Sequence, residues 1–309
     1  MINILFSAEE ARWDEYRAPL EAALAERGIT AHLSRDHDPA TVDYIVFAPN
    51  GPVTDFTPFS RCKGALSLWA GVETVVENPT LFMPLVRMVD PGLTQGMVEW
   101  VVAHTLRHHI EMDRHLYGQD GEWRTDYPPL SEDRTVTILG LGALGSACAM
   151  ALTSLGFPVV GWSRQAKSIE GVTCYAGQGQ LGTVLKQAQI LILLLPLTDD
   201  TTELINDQTL AQLPKGAIII NPGRGALIDD DALLSALDSG QIAHATLDTF
   251  RTEPLPPDHP YWNDEKVTVT PHIASVTRPD SASRVIADNI ARGEDGRPFL
   301  NLVDRNAGY

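Results

Sequence analysis

The chain has 309 residues, of which 44% are hydrophobic and 20% charged, and its formal net charge is −17. That length accommodates two domains of ordinary size, and the composition is that of a water-soluble globular protein. So acidic a chain repels phosphate backbones and anionic bilayers, which excludes nucleic acid and membrane surfaces as expected partners.

The three cysteines, Cys62, Cys148 and Cys174, are far apart and form no CxxC, which argues against a zinc ribbon and a disulfide framework. The opening MINILFSAEE has no basic stretch followed by a long apolar one. No apolar run approaches the ~18 residues of a membrane span, so a cytoplasmic location is the expectation.

Along the chain, short β-rich apolar runs alternate with helical patterns. The first half reads as a strand over 2–6, a helix over 13–27 stopped by Gly28, and short strands near 31–33, 44–47 and 65–68. VDPGLTQG (89–96) reads as a turn, and MVEWVVAHTLRHHIEMDRHL (97–116) as one long helix. Apolar residues on several sides of that helix suggest burial between domains or subunits. The polar segment 117–134 reads as a loop. Stronger strands follow at 136–139, 159–162, 190–194, 217–220, 243–247 and 267–269, with a helix over 280–292 near the end. This alternation predicts an α/β protein built on doubly wound parallel sheets.

Gly140, Gly142 and Gly145 form a GxGxxG between a strand and a helix, and the strand PVVGW then completes a βαβ unit. In that context the pattern is a dinucleotide site. The first glycine permits the tight turn, the second lets the pyrophosphate approach the backbone, and the third lets helix and strand pack closely. The N–H groups of the helix start, at Ala143 and Leu144, face the phosphates.

An NAD site places Asp or Glu at the end of the second strand to hold the ribose hydroxyls. Here the slot holds Ser163 and Arg164, with Lys167 three residues on, and no acidic residue lies between Gly145 and Glu170. A hydroxyl, a guanidinium and an ammonium suit a 2′-phosphate, so NADPH is the expected cofactor, with NADH a weaker alternative.

Ligands of doubly wound sheets bind at the carboxyl ends of the strands. LPLTDDT, NPGRGALID, DTFRTEPL and TPHIAS each follow a predicted strand. They bring Arg224, Asp248, Glu253 and His272 to one rim. A cation, carboxylates and an imidazole suit reduction of a 2-oxo acid. Arg224 binds the carboxylate and polarises the carbonyl, His272 donates the proton, Glu253 holds the ring, and Asp248 helps seat the nicotinamide or tunes the site. Leu195, Pro196, Pro222, Gly223, His272 and Ala274 complete the expected cofactor lining.

NPGRGALID, DTFRTEP and TPHIA resemble the three motifs of the D-isomer-specific 2-hydroxyacid dehydrogenases. With GLGALG and SLWAGVET, the resemblance runs over nearly the whole chain. WSRQAKS, EPLPPDHPYW, TPHIASVTRP and VDRNAGY resemble those family members that prefer NADPH and reduce glyoxylate and hydroxypyruvate. The resemblance implies two doubly wound domains with the active site in the cleft between them. It implies a discontinuous substrate domain (1–96 with 278–309) and a dinucleotide domain (97–277). It also implies substrate contacts from the backbone N–H groups of Ala70, Gly71 and Val72, and a homodimer, for which the helix at 97–116 is the candidate contact. Pro222 and Gly223 depart from what many members carry before the arginine, with a modest effect expected on the nicotinamide pocket. Bulkier 2-oxo acids such as phenylpyruvate, or a dinucleotide-sensing role without catalysis, are the alternative functions.

Other features stay bland. His104 and His108 are spaced i, i+4, but no HExxH accompanies them, and no metal is expected. The run Asp229–Asp231 reads as helix capping. Phe47, Trp69 and Trp262 suit either a pocket or the core, and Arg278 either an anionic substrate or the surface.

Overall fold

The computed structural model describes residues 1–308; Tyr309, the end of the VDRNAGY motif, lies outside the described residues. The chain divides into two compact units, one of Met1–Leu93 with Val276 onward and one of Thr94–Ser275.

The first unit is built on five parallel strands, β1 (Ile2–Ser7), β2 (Ala31–Ser34), β3 (Tyr44–Phe47), β4 (Gly64–Ser67) and β5 (Leu85–Val86). Their order is β2-β1-β3-β4-β5. The central strands β3 and β4 are buried at every position, as strands covered on both faces require. Helix α1 (Glu10–Glu26) lies on one face, where Tyr16, Leu20 and Leu24 join Ile4, Phe6 and Val46 in one apolar cluster. Phe47 belongs to the cluster on the other face, edge-on to Phe56 with centroids 5.6 Å apart, and is part of the core.

The last helix (Pro279–Glu294) returns to this unit. Its Ala282, Ile286 and Ile290, spaced i, i+4, i+8, form the apolar stripe that completes the α1 cluster. Arg27 and Asp288 pair across the two helices at 3.0 Å. Beyond the helix, Arg305 donates to the carbonyls of Val76 and Asn78, both at 2.8 Å, and of Leu81.

Helix α2 (Pro91–His109) starts where the sequence reads as a turn. Asp90 accepts hydrogen bonds from the N–H groups of Gly92 (2.9 Å) and Leu93 (3.2 Å), and Pro91 occupies the first helical position. Asp-Pro at a helix start is a cap followed by a residue with φ already set, not a turn. The helix also ends earlier than 116. Glu111 adopts φ 53°, and a separate short helix α3 (Met112–Tyr117) begins after it.

The second unit carries seven parallel strands, β6 (Val136–Leu139), β7 (Val159–Ser163), β8 (Val172–Ala176), β9 (Ile190–Leu193), β10 (Ala217–Asn221), β11 (Ile242–Leu247) and β12 (Val267–Val269). The order is β12-β11-β10-β9-β6-β7-β8. Counted from β6 this is the doubly wound 3-2-1-4-5-6 arrangement with one more strand at an edge, and the order reverses between β6 and β9. The edge strand β8 is the addition to the expected set: its residues are only half-buried, and its apolar pattern is correspondingly weak. Helices α4 (Ala143–Ser154), α5 (Leu181–Leu185), α6 (Asp207–Leu210) and α7 (Asp230–Asp238) complete the unit. Asp229 caps α7, accepting from the N–H groups of Asp231 and Ala232, so the acidic run is a helix start. Among the described residues, no helix is long and apolar enough to cross a membrane.

Candidate dinucleotide and active site

The glycine loop leaves β6 at the switch point. Gly140 has φ +106°, which favours glycine, and a Cβ there would lie 2.4 Å from the carbonyl oxygen of Leu194. Gly142 is the extended residue before α4, and a Cβ there would meet nothing within 4 Å. The space beside it is open for a phosphate to approach. A Cβ on Gly145 would lie 1.8 Å from the Gly140 carbonyl oxygen, so only glycine lets α4 start against its own strand. No side chain caps α4, and Ala143 and Leu144 open its first turn. Cys148 is buried inside this helix, and burial pushes its thiol up to about 12, which makes it an inert packing group.

At the end of β7, Ser163 is buried and its hydroxyl donates to the Gln165 carbonyl at 2.7 Å. Its proton is thus committed to shaping the turn. Arg164 and Lys167 are exposed beyond it. Leu195 is buried after β9, and Pro196 is held through its carbonyl by Thr201 at 2.7 Å.

The loop after β10 is organised by Asn221, which is fully buried. Its side chain accepts from Gly223 N–H (3.1 Å) and donates to the Arg224 carbonyl (2.9 Å). Pro222 and Gly223 are therefore held inside a turn that presents Arg224 in extended conformation. Gly225 follows because a Cβ there would sit 2.0 Å from the backbone of Phe250, in the next loop.

The loops after β11 and β12 form one hydrogen-bonded body. Asp248 is fully buried. Its carboxylate accepts from Thr270 hydroxyl (2.6 Å), Ile273 N–H (2.9 Å) and Ala274 N–H (2.9 Å), and its carbonyl accepts from His272 N–H (2.8 Å). These bonds hold His272 at φ 54°, a left-handed conformation that is rare outside glycine. Glu253 accepts from Phe250 N–H (2.9 Å) through one oxygen and lies 2.7 Å from His272 Nδ1 through the other. A carboxylate at Nδ1 keeps a proton on that nitrogen and leaves Nε2 for the reaction. The pair is partly exposed, as groups that meet a substrate must be.

Asn221 and Thr270 thus shape the site although neither was expected in it. Both stand at strand ends, which is the only sequence signal they carry. In the first unit, Trp69–Val72 follows β4 at its carboxyl end. Ser67 hydroxyl accepts from Trp69 N–H (3.0 Å), and the Trp69 carbonyl accepts from Met88 N–H (2.9 Å). The Trp69 ring is 41% exposed, whereas Val72 is buried. Arg278 precedes the first residue of the last helix, and Trp262 donates from Nε1 to the Pro256 carbonyl at 2.9 Å.

These two sheets, the glycine loop and the Glu–His pair after β11 and β12 define a nucleotide-dependent oxidoreductase. The chain belongs to the D-isomer specific 2-hydroxyacid dehydrogenases: residues 100–274 match that family's NAD binding domain. It is 39% identical to the glyoxylate/hydroxypyruvate reductase A of Serratia proteamaculans, with both chains fully covered. A D-isomer specific 2-hydroxyacid dehydrogenase from Xanthobacter autotrophicus Py2, solved in complex with NADPH and MES, is 38% identical and superposes with a TM-score of 0.93 over 99% of each chain. An NADPH-dependent glyoxylate/hydroxypyruvate reductase from Sinorhizobium meliloti, solved with NADP and sulfate, is 34% identical with a TM-score of 0.87 over all of each chain.

The Asp248 contacts predict a specific lesion. Asp248→Asn turns an amide NH2 against a backbone N–H donor, which leaves a buried donor unsatisfied and costs about 1–3 kcal/mol. Urea unfolding measures the loss, and faster amide exchange at Ile273 and Ala274 locates it; unchanged exchange there would remove Asp248 as the anchor of the loop.

Proposed function

We propose that this protein reduces small 2-oxo acids, glyoxylate and hydroxypyruvate, with NADPH. The observation that carries the reading is the 2.7 Å contact between Glu253 and His272 Nδ1 on the rim that also bears the glycine loop. When bound, NADPH supplies the hydride that reaches the carbonyl carbon. His272 donates the Nε2 proton to the carbonyl oxygen, while Glu253 stabilises the charged ring and holds its orientation. Arg224 binds the substrate carboxylate and polarises the carbonyl. Ala70, Gly71 and Val72 of the other unit offer backbone N–H groups of the kind that bind a substrate carboxylate, with Trp69 beside them in the chain. Gly140, Gly142, Ala143, Leu144 and Gly145 hold the pyrophosphate, and Leu195, Pro196, Pro222, Gly223 and Ala274 bound the nicotinamide. Arg164 and Lys167 select the 2′-phosphate. Asp248 acts through the loop that positions His272 and does not touch the substrate. The unit Thr94–Ser275 is then the dinucleotide domain and the other unit the substrate domain.

A homodimer accompanies this reading. Between 116 and 130 five large side chains are exposed: Leu116 (55%), Tyr117 (80%), Trp123 (93%), Tyr127 (89%) and Leu130 (67%). A second copy covers such a stretch at no cost in exposed backbone. Sedimentation of the wild type should give a dimer, and Trp123→Glu should shift it toward monomer; a wild-type monomer at micromolar concentration rejects the pairing.

Steady-state kinetics with both cofactors test the catalytic reading. His272→Ala should lower kcat by about 10²–10⁴-fold, the usual contribution of a general acid. Arg164→Asp should lower kcat/KM for NADPH by more than about tenfold, the worth of one charge-assisted hydrogen bond, and leave NADH nearly unaffected. Equal effects on the two cofactors would assign the 2′-phosphate to other residues. Absence of turnover with glyoxylate, hydroxypyruvate, pyruvate and phenylpyruvate would overturn the reading as a whole.

A further inference from the structure

His108, on the last turn of α2, does not pair with His104, which stacks on Trp100 instead with centroids 4.3 Å apart. Its neighbour is His244 of β11, with ring centroids 4.8 Å apart. Asp113, in the first turn of α3, joins them. One ring nitrogen of each histidine and one carboxylate oxygen of Asp113 all lie within 4.8 Å of one another. Three separate elements converge on this point, and none of the three residues takes part in the chemistry above.

We propose that His108, His244 and Asp113 bind a divalent transition metal, zinc or a close relative, that ties α3 to the α2–β11 layer. The donor chemistry selects the metal. Two imidazoles and a carboxylate suit zinc, copper or nickel, whereas magnesium and calcium take oxygen ligands. Metal-binding imidazoles need their second nitrogen held by a partner, and both have one. His108 Nε2 meets Thr246 hydroxyl at 2.8 Å, and His244 Nε2 meets Thr268 hydroxyl at 2.8 Å. In the tautomer in which each Nε2 donates to its threonine, Nδ1 carries the lone pair that a metal takes. Neutral imidazole is the form that a metal takes.

Two features set the affinity. A tetrahedral zinc with bonds of about 2.0–2.1 Å needs its ligand atoms roughly 3.3–3.5 Å apart, so the cluster must draw in. Asp113 can make that move, because it lies just past the left-handed Glu111 on a helix of only six residues. The opposing feature is Arg107, whose Nε donates to one Asp113 oxygen at 2.7 Å. Its charge competes with the cation for the same carboxylate. Three protein ligands leave a fourth position for water or a small anion.

Zinc titration of chelator-stripped protein against a chromophoric competitor tests the site. The wild type should bind one zinc per chain and gain thermal stability on doing so. His244→Ala should weaken binding by at least ~100-fold, since loss of an outer-shell partner alone costs ~10–100-fold. Asp113→Asn, at a half-buried position, should weaken it as well and keeps the test open if His244→Ala fails to fold. Arg107→Gln should tighten binding. Equal zinc affinity in the wild type and in Asp113→Asn, or a zinc-induced gain in Tm that survives His244→Ala, would overturn the assignment. Cofactor binding and turnover do not enter the readout, so the outcome is independent of the proposed activity.

Discussion

The buried carboxylate of Asp248 is the interaction on which the rest of the site depends. An ionised group with no exposure is tolerated only when its oxygens are filled with donors. Here the donors are Thr270, Ile273 and Ala274, all on the loop that carries His272. The requirement to satisfy a charge in the core is thus converted into rigidity at the surface. His272 can stay in a left-handed backbone conformation because the loop on either side of it is pinned from below. The Glu253 contact then sets the ring, and Asn221 performs the matching task for the Arg224 turn. Arg224 and His272 are partly exposed, and the backbone of each is held by a polar residue that is fully buried, Asn221 and Asp248.

That division explains what the sequence could and could not disclose. The candidate reactive residues were legible by type: Arg224, Glu253 and His272 stand out within NPGRG, RTEP and TPHI. Their supports were not. Asn221 and Thr270 act on backbone atoms of residues elsewhere in the fold, and an asparagine or threonine at a strand end looks like any turn residue. Asp248 was visible as a residue that seats the nicotinamide or tunes the site, but its contacts to the 270–274 loop were not. The bond from the Ser163 hydroxyl to the Gln165 carbonyl was equally hidden, being a matter of local turn geometry.

At the level of the fold, apolar strands such as Tyr44–Phe47 and Ile190–Leu193 announced themselves, since both faces are covered. The half-buried edge strand Val172–Ala176 did not, because an edge needs less apolar surface. Asp90–Pro91 was ambiguous in itself: the pair starts turns and helices alike, and Ser281 with the first-turn N–H groups decides the case. The break at Glu111 has no local signal, as glutamate is a good helix former. The partnership of His108 with His244 was equally hidden, being a contact over 136 positions of sequence between a helix end and a strand.

The return of the last helix to the first sheet has a consequence for synthesis. Leu20 and Leu24 of α1 find their apolar cover in Ala282, Ile286 and Ile290. Everything from Thr94 to Ser275 must leave the ribosome before that cover exists. At ~5–20 residues per second the delay is on the order of 10–40 s. The second unit is contiguous and can close during that interval, while the first waits with an apolar helix face in water. The N-terminal unit is therefore the last to mature, and it is the part of the nascent chain most in need of protection from aggregation.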